Sequence, residues 1–231
     1  MVRDDAGVIH PPLEALWRED GAAMLANAAI TILVGVAGFA VAAVAGTPLQ
    51  ARTTFALGVT TVWIALAAAP LASAARTRLG AVGRAGVMAD ASVVLLLILA
   101  LAGGASLTLA GAVRIYVLWA ALAVVPALLA GRGRCRLAVA AAISLGVLAV
   151  LAHPFWVGGL KAALDAPSRS ALETVLGAVD PWNGTLDAAG LATGQGPHGW
   201  AAATLVWWAT AVLIVAGIWV GRTARQFVRG T

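Results

Sequence analysis

The sequence has very little charge. Only 11% of its 231 residues are Asp, Glu, Lys or Arg, whereas 61% are hydrophobic. Soluble domains carry about 25% charged residues, so these side chains are too few to cover a surface that faces water. This scarcity excludes a soluble globular protein and indicates that most of the surface faces lipid.

Cysteine and histidine are also scarce. The single cysteine, Cys135, excludes an intrachain disulfide. The three histidines do not form an HxH or HxxxH motif, and no serine has an evident base, so the sequence predicts neither an enzyme nor a bound metal or cofactor. It also has no Walker motif, so any ATPase that works with this chain must be a separate polypeptide.

What the sequence does contain is a series of six apolar runs. Runs of about 20 residues can cross roughly 30 Å of hydrocarbon as helices, and these runs lack the alternation of barrel strands. We therefore predict an all-α, polytopic membrane protein, a bundle of six transmembrane helices that forms a single membrane domain over residues 1–231. The predicted spans are about 22–46, 54–75, 86–104, 108–130, 137–153 and 200–221.

The polar residues 1–20 precede the first apolar run. Leu13, Leu16 and Trp17 follow two prolines and share one face of a helix, with charged residues opposite. This pattern predicts a cytoplasmic helix that lies along the membrane interface.

Arginine and lysine are distributed unevenly between the two sides. If the N-terminus is cytoplasmic, eleven of the fifteen lie inside, and only Arg52, Arg114, Lys161 and Arg169 lie outside. This bias predicts that both termini are cytoplasmic. The basic residues form small clusters at the ends of apolar runs, and no continuous basic face results, which excludes a nucleic-acid partner. The dominance of arginine, alanine and glycine favours a bacterial origin, so we expect a multi-pass protein of the bacterial plasma (inner) membrane.

A longer segment separates the last two predicted spans. Residues 154–199 are predicted to be external, or periplasmic where an outer membrane exists, and to fold back on the outer leaflet or cap the bundle. Ser170 and Glu173 form a capping-box pattern, which predicts a short amphipathic helix over about 170–179 that ends before Asp180. Asn183 and Gly184 predict a turn.

Candidate functional residues lie mainly in and beside this external segment. His153, Asp180 and His198 could converge there, and two histidines with a carboxylate could ligate a metal. Nothing in their spacing requires a metal site, because His153 also fits the end of a span before a proline and His198 fits a glycine-rich turn. Trp156 and Trp182 suit the outer interface. Asp90 is the one acid near a span interior; it could pair with Arg84 or another arginine, or act in a proton relay.

The order of these elements resembles one known family. A helix carrying PLEALWR at 12–18, six spans and an amphipathic external element between spans 5 and 6 are similar to the permease subunit of ABC-2-type exporters. The resemblance implies a transport subunit that dimerises and works with a separate ATPase. It places the ATPase-coupling loop at ARTRLG, 75–80, and the residues that follow, so Arg76, Arg78 and Arg84 are the candidate coupling residues.

A second interpretation stays open. Because polar residues are rare within the spans, the chain could be a non-catalytic accessory subunit of a larger respiratory, photosynthetic or secretion complex. In either case the expected partners are membrane lipid and other protein subunits, or a second copy of the chain.

Overall fold

The chain is helical throughout most of its length. The computed structural model describes residues 2–3, 9–10, 12–75, 78–102, 107–130, 136–153, 156–157, 165–191 and 199–229. Near the N-terminus, the two-residue strands β1 (Val2–Arg3) and β2 (Ile9–His10) pair antiparallel. All other regular structure in the described part is helical: α1 (Pro12–Val44), α2 (Leu49–Ser73), α3 (Arg78–Leu101), α4 (Leu109–Ala130), α5 (Arg136–Leu151), α6 (Ala166–Val179), α7 (Pro181–Ala188) and α8 (Gly199–Arg229).

Five helices are long and apolar enough to cross a membrane. Their apolar parts are 21 to 25 residues long and comprise Asp20–Val44, Leu49–Ser73, Leu79–Leu101, Leu109–Leu129 and Gly199–Gly221. Such lengths correspond to about 32 to 38 Å of helix, enough to cross the hydrocarbon core. The chain is therefore a multi-pass membrane protein. The predicted fifth span is represented by α5, whose apolar part, Leu137–Leu151, is shorter than the others.

The starts of α1 and α3 differ most from the predicted starts. Helix α1 continues without a break from Pro12 to Val44, so the expected interfacial helix and the first span are one element. Helix α3 begins at Arg78, about eight residues before the predicted start at 86. Gly80, Gly83 and Gly86 weaken the local helix signal there, and packing against α1 and α2 outweighs this weakness.

Helix α2 lies at the centre of the bundle and packs against α1, α3, α4 and α5. The fully buried side chains between these helices include Leu57, Ile64, Leu95, Leu118 and Trp119. Many of the remaining core residues are alanines, which let helix backbones approach closely in the absence of a strong hydrophobic force between lipid-embedded helices.

Helix α1 packs on α2 through small residues, among them Gly38 and Ala42, which lie one helical turn apart. Both residues are buried, and a side chain at Gly38 would reach within 3.4 Å of the Ala56 Cα. Gly46, one turn further along the chain, does not take part in this packing. It follows the end of α1 with a φ of +73°, and a Cβ at this position would meet no atom within 4 Å. Gly46 thus has the left-handed conformation that ends many helices.

A buried ion pair joins α1 to α3. Arg84 donates from Nε and Nη2 to Asp20 Oδ1 at 2.8 and 2.5 Å, and Asp20 is only 1% exposed. The Asn27 side chain donates to the Arg84 carbonyl oxygen at 3.1 Å. Arg84 therefore pairs with Asp20 in α1, and the pairing of Arg84 with Asp90 that the sequence allowed is not formed.

Candidate functional site

Helices α6 and α7 follow one another between α5 and α8. Both contact α8, but only α7 has buried residues and enters the bundle. We call residues 166–188 the re-entrant hairpin. Near its tip, the Val179 carbonyl oxygen accepts a hydrogen bond from the Trp207 indole at 3.3 Å, which places the tip about 12 Å below the start of α8. At its far end, Asp187 Oδ2 accepts from the Trp200 amide at 2.8 Å. Helix α7 thus runs along the first turns of α8, from the level of Trp207 back toward the end of the bundle at which α8 begins.

The returning arm, α7, lies against α2, α4 and α8. The half-buried Trp182 ring packs on Gly58, and a methyl group at Gly58 would overlap it. Gly184 is buried against Leu118 and Ala203. A glycine at each of these two contacts therefore gives α7 room to sit between the spans.

A buried polar network holds α7 in this position. The Thr61 and Thr185 hydroxyl oxygens are 3.0 Å apart, and the Trp119 indole N–H points at both, at 3.0 and 3.3 Å respectively. Thr185 also donates to the Pro181 carbonyl oxygen at 2.8 Å. Thr61 and Trp119 are each near the midpoint of their helix, so the network lies level with the middle of α2 and α4.

The tip of the hairpin meets the end of α5. His153 Nδ1 lies 3.9 Å from Asp180 Oδ2, and the two residues are 6% and 3% exposed. The same nitrogen lies 2.8 Å from the Val150 carbonyl oxygen, so it carries a proton and donates. Asp180 Oδ1 accepts from the Trp182 amide at 2.9 Å and caps α7. Of the three residues that could converge, His153 and Asp180 therefore lie close together.

Burial changes the acidity of Asp180, which lies in the connector between two short helices, outside the long apolar spans. Burial raises the pKa of the Asp180 carboxyl to about 6, and the hydrogen bond from the Trp182 amide and the charge of His153 oppose that rise only in part. This carboxyl can therefore take up and release a proton near pH 6 while it caps α7.

The hairpin differs from the predicted form of this segment in two details. Helix α6 begins at Ala166 with Asp165 at its N-cap position, so Ser170 lies inside the helix and its predicted role as the cap is wrong. Asn183 and Gly184 lie within α7, so the predicted turn is wrong as well. The chain instead turns at Asp180, where an extended residue precedes Pro181.

Trp156 and Trp182, two other candidate residues of the external segment, do not join this pair. Trp156 is exposed and donates to the Ala149 carbonyl oxygen at 2.7 Å. Trp182 faces α2 instead of the outer interface. His198 lies outside the described residues.

Two of the three candidate coupling residues are described by the structure, and both lie in a helix instead of a loop. Arg78 is the first residue of α3, and Arg84 lies within α3, bound to Asp20. Arg76 lies outside the described residues.

Asp90 is placed differently from the sequence-based expectation. Because α3 starts early, Asp90 lies at the midpoint of the apolar part Leu79–Leu101 and not one turn from its end. Its side chain is exposed, and Oδ1 accepts a hydrogen bond from the Tyr116 hydroxyl at 2.9 Å.

Sequence reasoning missed the polar residues that position α7. Thr61, Thr185 and Trp119 have no distinctive spacing, and threonine in an apolar helix often bonds only to its own backbone. The hydrogen bonds among these three side chains depend on how far α7 extends into the bundle. The one available signal was the pair of small residues, Gly58 and Gly184, in elements that could face each other.

The described residues contain no group of three or more His, Cys, Asp or Glu side chains that could hold a metal ion. No protein-family model matches the chain, and the comparisons with curated proteins and with solved structures give no match.

Proposed function

We propose that this chain is the membrane-embedded subunit of a transporter, in which the re-entrant hairpin is the moving part. The observation that carries the proposal is the buried His153–Asp180 contact at the hairpin tip. Non-helical backbone and ionisable groups at membrane depth are costly unless protein surrounds them, and they mark transport pathways in membrane proteins. Here both features meet at one point inside the bundle.

The proposal includes the topology. Six membrane segments, counting the short α5, with both termini cytoplasmic, place the hairpin on the outer side, consistent with the excess of arginine in the opposite connectors. We assign the chain to the bacterial plasma membrane because arginine, alanine and glycine dominate its composition. An ATPase partner and dimerisation follow from the resemblance to ABC-2-type permeases and belong to the proposal.

The topology is tested with a membrane-impermeant maleimide on intact cells. The native Cys135 is one labelling site, and Thr47→Cys and Ser168→Cys in a Cys135→Ser background provide the others. We expect Thr47→Cys and Ser168→Cys to react in intact cells, and Cys135 to react only after the membrane is opened. Labelling of Cys135 from outside would overturn the orientation.

The moving role of the hairpin is tested with a reversible crosslink. The Thr61 and Thr185 hydroxyl oxygens are 3.0 Å apart, so we expect cysteines at both positions to form a disulfide on oxidation. In membrane vesicles that contain the chain and the proteins that co-purify with it, oxidation of the double variant should stop energised export of amphipathic compounds, and reduction should restore it. Each single cysteine variant is the control.

The two functional interpretations differ in what co-purifies in mild detergent. A nucleotide-binding protein in the complex, together with ATP-dependent export, supports the transporter. A large complex without an ATPase, and export that is unaffected by the crosslink, would replace the proposal with the accessory-subunit interpretation.

A further inference from the structure

The exposed face of α3 carries a carboxylate in an unusual place. Asp90 is at the midpoint of an apolar helix, and its side chain is exposed on the outside of the bundle. Among the described residues, the Tyr116 hydroxyl is its hydrogen-bond partner, while Arg84, on the same helix, is held by Asp20. A carboxylate that faces hydrocarbon is unfavourable without a cationic partner.

An apolar crevice adjoins this carboxylate. It lies between α3 and α4, has a volume of about 410 Å³ and is lined by Val93, Leu97, Ala112 and Val113, among others. Tyr116 lines its deep end and also bonds to Asp90, and Thr108 lies at the other end. From Val93 to Ala100 the crevice follows α3 for about 10 Å. Its volume is within the range of roughly 300–1,000 Å³ typical of small-molecule sites.

We propose that Asp90, Tyr116 and this crevice form a binding site for lipophilic organic cations that enter from the membrane. The charge of such a compound would pair with Asp90, and its apolar groups would fill the crevice. The proposal names a substrate class for the transport function proposed above and rests on that function only for movement across the membrane; binding is a property of the site alone.

The chemistry of the site favours this class over others. An anion would be repelled by the Asp90 carboxylate, and a neutral apolar compound would leave that carboxylate without a counter-charge. A bare metal cation such as Ca²⁺ takes about six to eight oxygen ligands, whereas one carboxylate and one phenol supply three. A delocalised organic cation is weakly hydrated and needs one counter-charge and apolar surface, and both are present here.

Binding is measured on the full-length protein in nanodiscs of zwitterionic lipid. The probe is radiolabelled tetraphenylphosphonium, and tetraphenylborate, which has the same shape and the opposite charge, is the control for simple partitioning. We expect saturable binding of the cation only. Asp90→Asn should weaken it by about tenfold or more, which is the loss of one ion pair, and Tyr116→Phe should weaken it severalfold. Glu173→Gln, which removes one charge from an exposed position on α6, should bind as the wild type does.

A steric variant separates loss of the site from loss of the fold. Ala100→Phe fills the crevice and leaves Asp90 and Tyr116 in place, so it should reduce binding while the protein stays monodisperse. Equal uptake of the two probes, or wild-type affinity in Asp90→Asn, would overturn the proposal. A crosslink between copies of the chain through residue 90, together with no probe binding, would show that a second copy occupies this face and would overturn it as well. Binding without export would leave this site intact and refute the transport function alone.

Discussion

The contact between Gly58 and Trp182 gives the sharpest test of the inserted hairpin. In the structure, a methyl group at Gly58 overlaps the far edge of the Trp182 ring. That ring is half-buried between α2 and α7, so the new methyl group fits only if the Trp182 side chain changes rotamer or if α7 moves. Overpacking of this kind costs about 1–3 kcal/mol.

The Gly58→Ala substitution also has a favourable effect, because alanine is the better helix former by about 1 kcal/mol. Gly86 in α3 measures that effect alone, since no atom lies within 4 Å of the position its Cβ would take. We therefore expect Gly86→Ala to stabilise the protein slightly and Gly58→Ala to be less stable than Gly86→Ala by about 1–3 kcal/mol.

The measurement is reversible unfolding of the purified protein in mixed micelles, with the two glycine variants compared under identical conditions. A second substitution, Trp182→Leu, shortens the side chain that meets the new methyl group. It should recover most of the loss in the Gly58→Ala background, a coupling that a double-mutant cycle reports. Equal stability of the two alanine variants, or a loss that Trp182→Leu does not rescue, would refute the position assigned to α7.

Three further predictions concern the buried polar groups. Arg84→Gln leaves Asp20 buried without its partner and should destabilise the protein by about 3 kcal/mol or more, with partial recovery in the Asp20→Asn double variant; unfolding in micelles measures both. Thr61→Val and Thr185→Val should each cost about 1 kcal/mol, and their double variant should cost less than the sum because they belong to one network. The raised pKa of Asp180 means that the folded protein holds this proton to a higher pH than the unfolded chain does, so stability should fall as pH rises from about 4 to about 6. Asp180→Asn, which keeps the acceptor that caps α7, should remove that fall, and an unchanged pH dependence in this variant would contradict the assignment.

The membrane helices could be predicted because composition and run length determine them almost alone. Charged residues cannot face lipid cheaply, so the apolar runs identify the spans whatever their neighbours are. The start of α3 could not be found this way. Three glycines and three arginines at or before residue 86 are typical of a connector, and only the burial of Asp20 against Arg84 shows why the helix extends back to Arg78.

The candidate site could be predicted only in part. His153 and Asp180 could be expected to meet because both belong to one connector or its border, and they do. The depth of the meeting could not be predicted, because an amphipathic helix has the same periodicity whether it rests on the surface or lies among other helices. At Asn183 and Gly184 the local turn preference is overridden by packing of Gly184 against Leu118 and Ala203.

The shortness of α5 has a consequence for the surrounding bilayer. Its apolar part, Leu137–Leu151, corresponds to about 22 Å of helix, while the hydrocarbon core of an average membrane is about 30 Å thick. Leu137, Leu145 and Leu148 on this helix are exposed. With α5 in the bilayer, as in the proposed topology of six membrane segments, the acyl chains beside it meet a shorter apolar wall than those beside α1 or α8. Shorter acyl chains match this side of the protein better. A change in membrane thickness therefore changes the mismatch at α5, the helix that ends beside His153.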